Sequence, residues 1–300
     1  MEKNFKRLTV DARDEILPIL YEANYGRCEY TFGTFLMYSE IGDYKYKIED
    51  GVLFVKGRGR DGDFFYAPIT RKVEKFTSSV KFLIREYNAR GEKLKLFSVP
   101  SDRVEYLPKD NCTIRAGHAD YVYDIVAFSE LRGKKYHGKR NHISGFEREI
   151  GEYSFDKISS SNIGQVVEFF EKFRERESKD SEMFKIELEA TATLLKNIDK
   201  TDFEGYFLST HGQVIGFTVG EIVGDMLVVH VEKCDKSVRG VYEKIANCFV
   251  REMIAKYPQL KLVNREDDAG DEGLKKAKLS YNPLYMAEKM HFTYHVHDSV

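Results

Sequence analysis

Glu232 and His230 stand two residues apart in an apolar run, Met226 to Glu232, that reads as a strand. A carboxylate there can take a proton from an attacking group if burial raises its pKa towards neutrality. The structural alternatives are an ion pair between Glu232 and Lys233 and a histidine that serves only packing. Downstream, Glu266, Asp267 and Asp268 lie between another strand and a turn at Gly270. Clustered carboxylates can receive an ammonium group, which needs paired anions once desolvated; the alternative is capping of the next helix by Asp267 or Asp268. Lys278 and Tyr281 follow the last short helix, where a tyrosine can donate one proton and a lysine can hold a phosphate or a developing oxyanion. Arg239 and Gly240 open a long helix, whose unpaired N–H groups suit a phosphate or simply form an entry turn. Arg132, Lys134, Lys135, Lys139 and Arg140 form the one dense basic cluster. It fits a nucleic-acid phosphate backbone, in a salt-dependent and sequence-blind contact, or a solvated helix face. No nearby histidine or spaced further ligand completes a metal site around the acidic run.

The elements that must position these groups follow from periodicity. A short strand at Phe5 to Val10 precedes a helix that Asp11 can cap, with Ile16, Leu17, Leu20 and Ala23 on one face. A second helix fits Phe32 to Ile41, three strands fit Tyr44 to Glu49, Val52 to Lys56 and Asp63 to Ile69, and a long helix carries Val73, Phe76, Val80, Leu83 and Tyr87. Leu94 to Val99 and Cys112 to Arg115 complete the set as strands. From about Glu152 the same order returns: a strand at Tyr153 to Ile158, helices carrying Ile163 to Phe173 and Met183 to Leu195, strands at Phe203 to Ser209, Val214 to Gly220 and Met226 to Glu232, a helix from Val241 to Tyr257, and a strand at Leu260 to Val263. The pattern is written twice without evident sequence identity between the halves. Gly57 to Gly62 spells G-x-G-x-x-G, but Asp63 to Tyr66 continues as a strand, so the motif reads as a hairpin loop rather than a dinucleotide site.

Composition bounds the function. Lys and Arg total 47 against 49 Asp and Glu, a formal net charge of -2, so no global field holds the chain on nucleic acid or an anionic membrane and any anion site must be local. At 300 residues the chain is long enough for two cores. No apolar stretch is long enough to cross a bilayer, and the opening residues lack the apolar segment of a signal peptide, so a cytoplasmic protein is expected. Cys28, Cys112, Cys234 and Cys248 form no CxxC pair and are expected to be reduced.

The order of elements resembles two GCN5-related N-acetyltransferase folds in tandem. In that fold the loop before the long helix, Gln/Arg-x-x-Gly-x-Gly/Ala, cradles the pyrophosphate of coenzyme A. Here Ser237-Val238-Arg239-Gly240-Val241-Tyr242 keeps the central glycine but departs at both ends, and the first half has no glycine at all between Ala67 and Phe76. More specifically, His230-Val231-Glu232-Lys233-Cys234-Asp235, Val263-Asn264-Arg265-Glu266-Asp267-Asp268-Ala269-Gly270 and Gly273 through Pro283 are similar to the catalytic domain of bacterial phosphatidylglycerol lysyltransferases. Asp120-Tyr121-Val122-Tyr123 and the segment from Gly133-Lys134-Lys135 to Lys139-Arg140-Asn141 match its inter-lobe region.

The resemblance implies a transferase that moves an aminoacyl group from aminoacyl-tRNA to an amine or hydroxyl acceptor, such as a small molecule, a peptide or a lipid headgroup, through two lobes flanking one cleft. It implies Glu232, Lys278 and Tyr281 as catalytic residues. His230, Asn264, Glu266 and Asp267 would bind substrate, and Arg239, Gly240, Lys134, Lys135, Lys139 and Arg140 would meet donor phosphate or tRNA. The expected fold is α/β (α+β), with a lobe at residues 1–123 lacking a donor site, a basic helical segment at 124–150 and an active lobe at 151–300. An acyl-coenzyme A donor, or a non-catalytic ligand-binding protein on the same fold, is the alternative. No metal is expected.

Overall fold

The protein is described by a computed structural model over residues 4–177 and 181–296. Its elements in chain order are β1 (Lys6–Arg7), α1 (Arg13–Ala23), α2 (Phe32–Tyr38), β2 (Lys45–Glu49), β3 (Val52–Gly59), β4 (Gly62–Tyr66), α3 (Val73–Asn88), β5 (Leu94–Pro100) and β6 (Cys112–Ala116). There follow β7 (Asp120–Asp124), α4 (Ile125–Glu130), α5 (His137–Ile150), β8 (Ser154–Lys157), α6 (Ile163–Arg176), α7 (Glu182–Lys196), β9 (Glu204–Thr210), β10 (Gln213–Val223) and β11 (Met226–Cys234). The chain ends with α8 (Val241–Lys256), β12 (Leu262–Asn264), α9 (Glu272–Leu279), β13 (Tyr285–Ala287) and β14 (Lys289–Tyr294). The twice-written order is therefore present. Asp11 does not cap α1; it lies in a 3-10 turn, and α1 starts after Ala12 with no side-chain cap.

The strands form two seven-stranded mixed sheets, β1-β2-β3-β4-β5-β14-β6 and β13-β7-β12-β11-β10-β9-β8. The last strand of each half is exchanged. β7 follows β6 in sequence yet sits between β12 and β13, while β14 follows β13 yet sits between β5 and β6. The chain accordingly divides after Asp120 and again after Met286, not at residues 123 and 150: the segment 124–150 belongs to the second unit and residues from Ala287 onwards to the first. Adjacency in sequence did not predict this, because a strand joins whichever ladder offers it backbone partners and a buried face.

In the first unit β4 and β5 run parallel and pair only at Phe65–Leu96 and Tyr66–Phe97. Beyond that point the Tyr30 hydroxyl spans the two strands: it donates to the Ser98 carbonyl at 2.8 Å and accepts from the Ala67 N–H at 3.2 Å. The Tyr25 hydroxyl likewise engages Pro68 and Thr70. Both tyrosines are buried. Helix α3 covers one face of the sheet with Phe76, Val80 and Leu83 at helical spacing.

In the second unit the core is built by Tyr121, Tyr123, Ile125 and Phe128 against Leu227, Val229, Phe249, Met253, Val263 and Tyr281. Here β11 and β12 run parallel and pair over Met226–Leu262, Leu227–Val263 and Val228–Asn264. Then β12 ends, while β11 runs on to Cys234. Tyr30→Phe strands a buried N–H and a carbonyl between β4 and β5, and is expected to lower unfolding free energy by about 1–3 kcal/mol. Urea denaturation checks this.

Candidate functional site

The gap left where β11 and β12 part is lined by charge. The Glu232 carboxylate accepts from the Arg265 guanidinium at 2.7 Å, and His230 Nδ1 lies 2.9 Å from Glu266 Oε1, so two ion pairs span from β11 to the chain leaving β12. A β-bulge sets the spacing. Val219 pairs with Val231 but Gly220 with Val229, which leaves His230 as the extra residue of β11. Its other nitrogen, Nε2, lies 3.2 Å from Glu221 Oε2 on β10.

A ring that faces a carboxylate on each side donates from both nitrogens only as imidazolium. Burial by itself lowers the His230 pKa, but the hydrogen bonds to Glu221 and Glu266 outweigh it and raise the pKa to about 9. Glu232 shifts the other way for a carboxylate in need of charge: burial raises its pKa above the usual range, and Arg265 opposes that only in part. Arg265 is held well above its already high value, the Glu232 field overcoming the cost of burial.

Aromatic rings carry the cations. Tyr281 stacks on Phe128 with centroids 4.6 Å apart, Arg265 sits 5.2 Å from the Tyr281 centroid, and the Lys139 ammonium lies 4.0 Å from it. Lys139 also donates to Glu243 Oε1 at 3.2 Å, in the first turn of α8, and His142 lies 3.6 Å from the same carboxylate. Burial lowers the Lys139 pKa, with Glu243 opposing. The Tyr281 phenol is pushed far above its ordinary value by burial and keeps its proton. Glu232, Arg265, Tyr281, Lys139 and Glu243 thus form one part-buried group of two carboxylates, the Glu232 one with a raised pKa, a protonated phenol and two cations.

Other sequence-selected residues have different partners. Lys278 is 7% exposed, and its ammonium donates to the carbonyls of Arg265 (2.6 Å) and Asp267. It holds the loop after β12 in shape. The acidic run does not act as one cluster: Glu266 goes to His230, Asp267 accepts from the Ala269 N–H, and Asp268 accepts from the Tyr121 hydroxyl at 2.6 Å and the Gly270 N–H. Helix α9 is capped by Asp271, not by Asp267 or Asp268. Asn264 is fully buried and accepts from the Glu266 N–H, which supports the left-handed backbone of Glu266, φ 57°.

The basic cluster is divided as well. Arg140 donates to the carbonyls of Leu131 and Gly133, Arg132 pairs with Glu130, and Lys139 turns into the part-buried group, which leaves Lys134 and Lys135 exposed. At the start of α8, Arg239 lies 3.5 Å from Glu149. Gly240 has φ 74°, and a Cβ there would collide with the His142 carbonyl oxygen. That glycine is explained by the packing of α8 on α5. The turn ahead of it already contains an anion, since Asp235 Oδ1 accepts from both the N–H and the hydroxyl of Ser237.

Sequence reasoning gave no role to Arg265, Glu243 or Glu221. Arg265 was legible only as the cation that precedes the acidic run, and Glu243 only as an acid in the first turn of α8. Among the described residues, Cys28, Glu29 and Asp120 have donor atoms within 4.8 Å of one another, as a metal site would require. A cation is already there: the Lys289 ammonium lies 2.5 Å from Glu29 and 2.6 Å from Asp120.

The family model described as phosphatidylglycerol lysyltransferase, C-terminal, matches residues 22–290. The chain belongs to this family. A conserved protein of unknown function from Bacteroides thetaiotaomicron is 26% identical, with a TM-score of 0.89 over 97% of this chain and 99% of that one. L-PGS from Bacillus licheniformis is 13% identical with a TM-score of 0.68, over 96% and 93% of the two chains, and FemX is 9% identical with a TM-score of 0.66, over 98% and 97%. These last two share the fold. An uncharacterised protein of Mycoplasmoides gallisepticum is 23% identical over 177 residues, 59% of this chain, and the chain spans little more than half of that relative's length, 56%. No helix among the described residues is long and apolar enough to cross a membrane. As in the expectation from sequence, this member of the lysyltransferase C-terminal family is a tandem of two mixed, helix-flanked sheets.

The raised pKa of His230 fixes a pH dependence. A histidine whose folded pKa of about 9 exceeds its unfolded value of 6.5 contributes stability that is complete below pH 6.5 and lost as pH rises through about 9. The thermal midpoint is expected to fall across that interval, and the fall to flatten in Glu266→Gln. Gly240→Ala, strained by φ and by the His142 carbonyl, is expected to cost about 1–3 kcal/mol in urea unfolding.

Proposed function

We propose that this protein transfers an aminoacyl group from aminoacyl-tRNA to an amine or hydroxyl acceptor, with the chemistry in the second unit. The observation that carries this reading is the part-buried pairing of Glu232 with Arg265 beside Tyr281 in the gap between β11 and β12. Family membership supports an acyl-transfer reaction, and it leaves donor and acceptor to be found by experiment.

In this mechanism Glu232, with its pKa raised by burial, accepts the proton of the attacking N–H or O–H. The nucleophile adds to the ester carbonyl that joins the amino acid to the terminal ribose. Arg265 and Lys139, both against the Tyr281 ring, are assigned the stabilisation of the negative charge that develops on the tetrahedral oxygen. Tyr281, whose phenol keeps its proton at neutral pH, donates it to the departing ribose oxygen. His230 and Lys278 act at one remove: His230 holds Glu266, and Lys278 holds the loop that presents Arg265. The exposed Lys134 and Lys135 suit the phosphates of the donor.

The donor reading rests also on the entry to α8. Asp235, which accepts from the Ser237 N–H and hydroxyl and lies 3.1 Å from the Arg176 guanidinium, already takes up donors of the turn ahead of α8 that a coenzyme A pyrophosphate would need. In the first unit Tyr30 fills the place where β4 and β5 part, so we assign that unit no donor site.

The test is single-turnover transfer of labelled amino acid from a mixture of charged tRNAs to candidate amines and alcohols. Glu232→Gln is expected to reduce the rate by about 10²-fold or more while leaving tRNA binding unchanged. Undiminished transfer by Glu232→Gln, or transfer from acyl-coenzyme A in place of aminoacyl-tRNA, overturns the reading.

A further inference from the structure

The first unit contains a buried group that the proposed reaction does not use. Cys28 lies between α1 and α2, and Lys289 is the first residue of β14, 261 positions later. Their reactive atoms face each other, with Lys289 Nζ 3.6 Å from Cys28 Sγ. Both residues are buried, Cys28 at 6% exposure and Lys289 at 2%. Two carboxylates touch both atoms. Asp120 Oδ1 is 2.6 Å from Nζ and 3.3 Å from Sγ, while Glu29 places Oε1 2.5 Å from Nζ and Oε2 3.4 Å from Sγ. The Cys28 N–H donates to Asp120 Oδ2 at 2.7 Å, and the Ser98 hydroxyl donates to Glu29 Oε1 at 2.9 Å, so both acids are fixed from behind.

We propose that Cys28 and Lys289 are a covalent modification site, at which dioxygen joins the thiol and the amine through a single bridging oxygen. In the balanced step the S–H bond, one N–H bond and the O–O bond break. An S–O and an O–N bond form around one oxygen atom, and the other leaves as water. Sulfur and nitrogen each give up two electrons, which together reduce dioxygen. The additional proton of the ammonium passes to Glu29 or Asp120. Glu29 is prepared for it, since burial and, less, the neighbouring Asp120 raise its pKa by more than Lys289 and a backbone hydrogen bond lower it.

Three features favour this pair over an ordinary buried thiol. The nitrogen is not a distant surface lysine but is locked at contact distance by two acids, so no loop has to be ordered before reaction. Both proton acceptors are already in contact with the atoms that lose protons. And a bridge of one atom closes a 3.6 Å gap with less movement of β14 than a direct S–N bond requires. The product ties β14 to the segment ahead of α2. It also removes the ammonium that neutralises Asp120, whose side chain is fully buried.

The test is mass spectrometry of the full chain, prepared once in air and once with oxygen excluded. In air the intact mass is expected to gain one oxygen and lose two hydrogens. Digestion is expected to give one linked peptide pair containing Cys28 and Lys289, absent from the oxygen-free sample, absent in Cys28→Ser, and separated by a thiol reductant. An air-exposed chain in which Cys28 stays alkylatable and the two peptides stay separate overturns the proposal. So does a loss of two hydrogens without gain of oxygen, or stepwise oxidation of Cys28 with Lys289 unmodified. The comparison is made on the native chain itself, so it does not depend on how any Lys289 variant folds.

Discussion

Two parallel strands that part leave buried charge with nowhere to go but across the gap. In the second unit β11 and β12 share three residue pairs and then separate, and beyond that point Glu232 and His230 reach over to Arg265 and Glu266. Neither ion pair is cheap to bury, and each is retained because its members would otherwise be uncompensated charges in a low dielectric. The aromatic shelf of Phe128 and Tyr281, the loop carbonyls gathered by Lys278 and the bulge at His230 all serve to set that geometry.

In the first unit the corresponding place is filled by other side chains. Its β4 and β5 part in the same way, but the space is taken by phenol rings whose hydroxyls satisfy the backbone on both sides. A tyrosine in that position closes a hydrogen-bond account within the protein, whereas an acid and an arginine leave an electric field that a reacting group can use. One fold thus carries a sealed gap and a polar one, and the difference comes down to a few side chains.

The exchange of β7 and β14 links the two sheets through the chain itself, since each completes its ladder with a strand from the other half of the sequence. It also explains the position of Lys289. Only because β14 lies beside β5 does its first residue meet Cys28, Glu29 and Asp120, which are far away in sequence.

The sequence by itself determined the repeated order of helices and strands, because periodicities of 3.6 and 2 are local and survive any arrangement of the whole. It also singled out Glu232, His230, Glu266 and Tyr281 as candidates by type and place. It did not reveal Arg265 as the partner of Glu232, the removal of Lys139 from the basic run into a part-buried pair with Glu243, the separate duties of Glu266, Asp267 and Asp268, or the crossing of β14 into the first sheet. Partner choice among charges depends on which carboxylate lies within hydrogen-bond reach after packing. A run of like residues therefore looks like one patch in sequence and is divided only when the tertiary structure brings distant segments together.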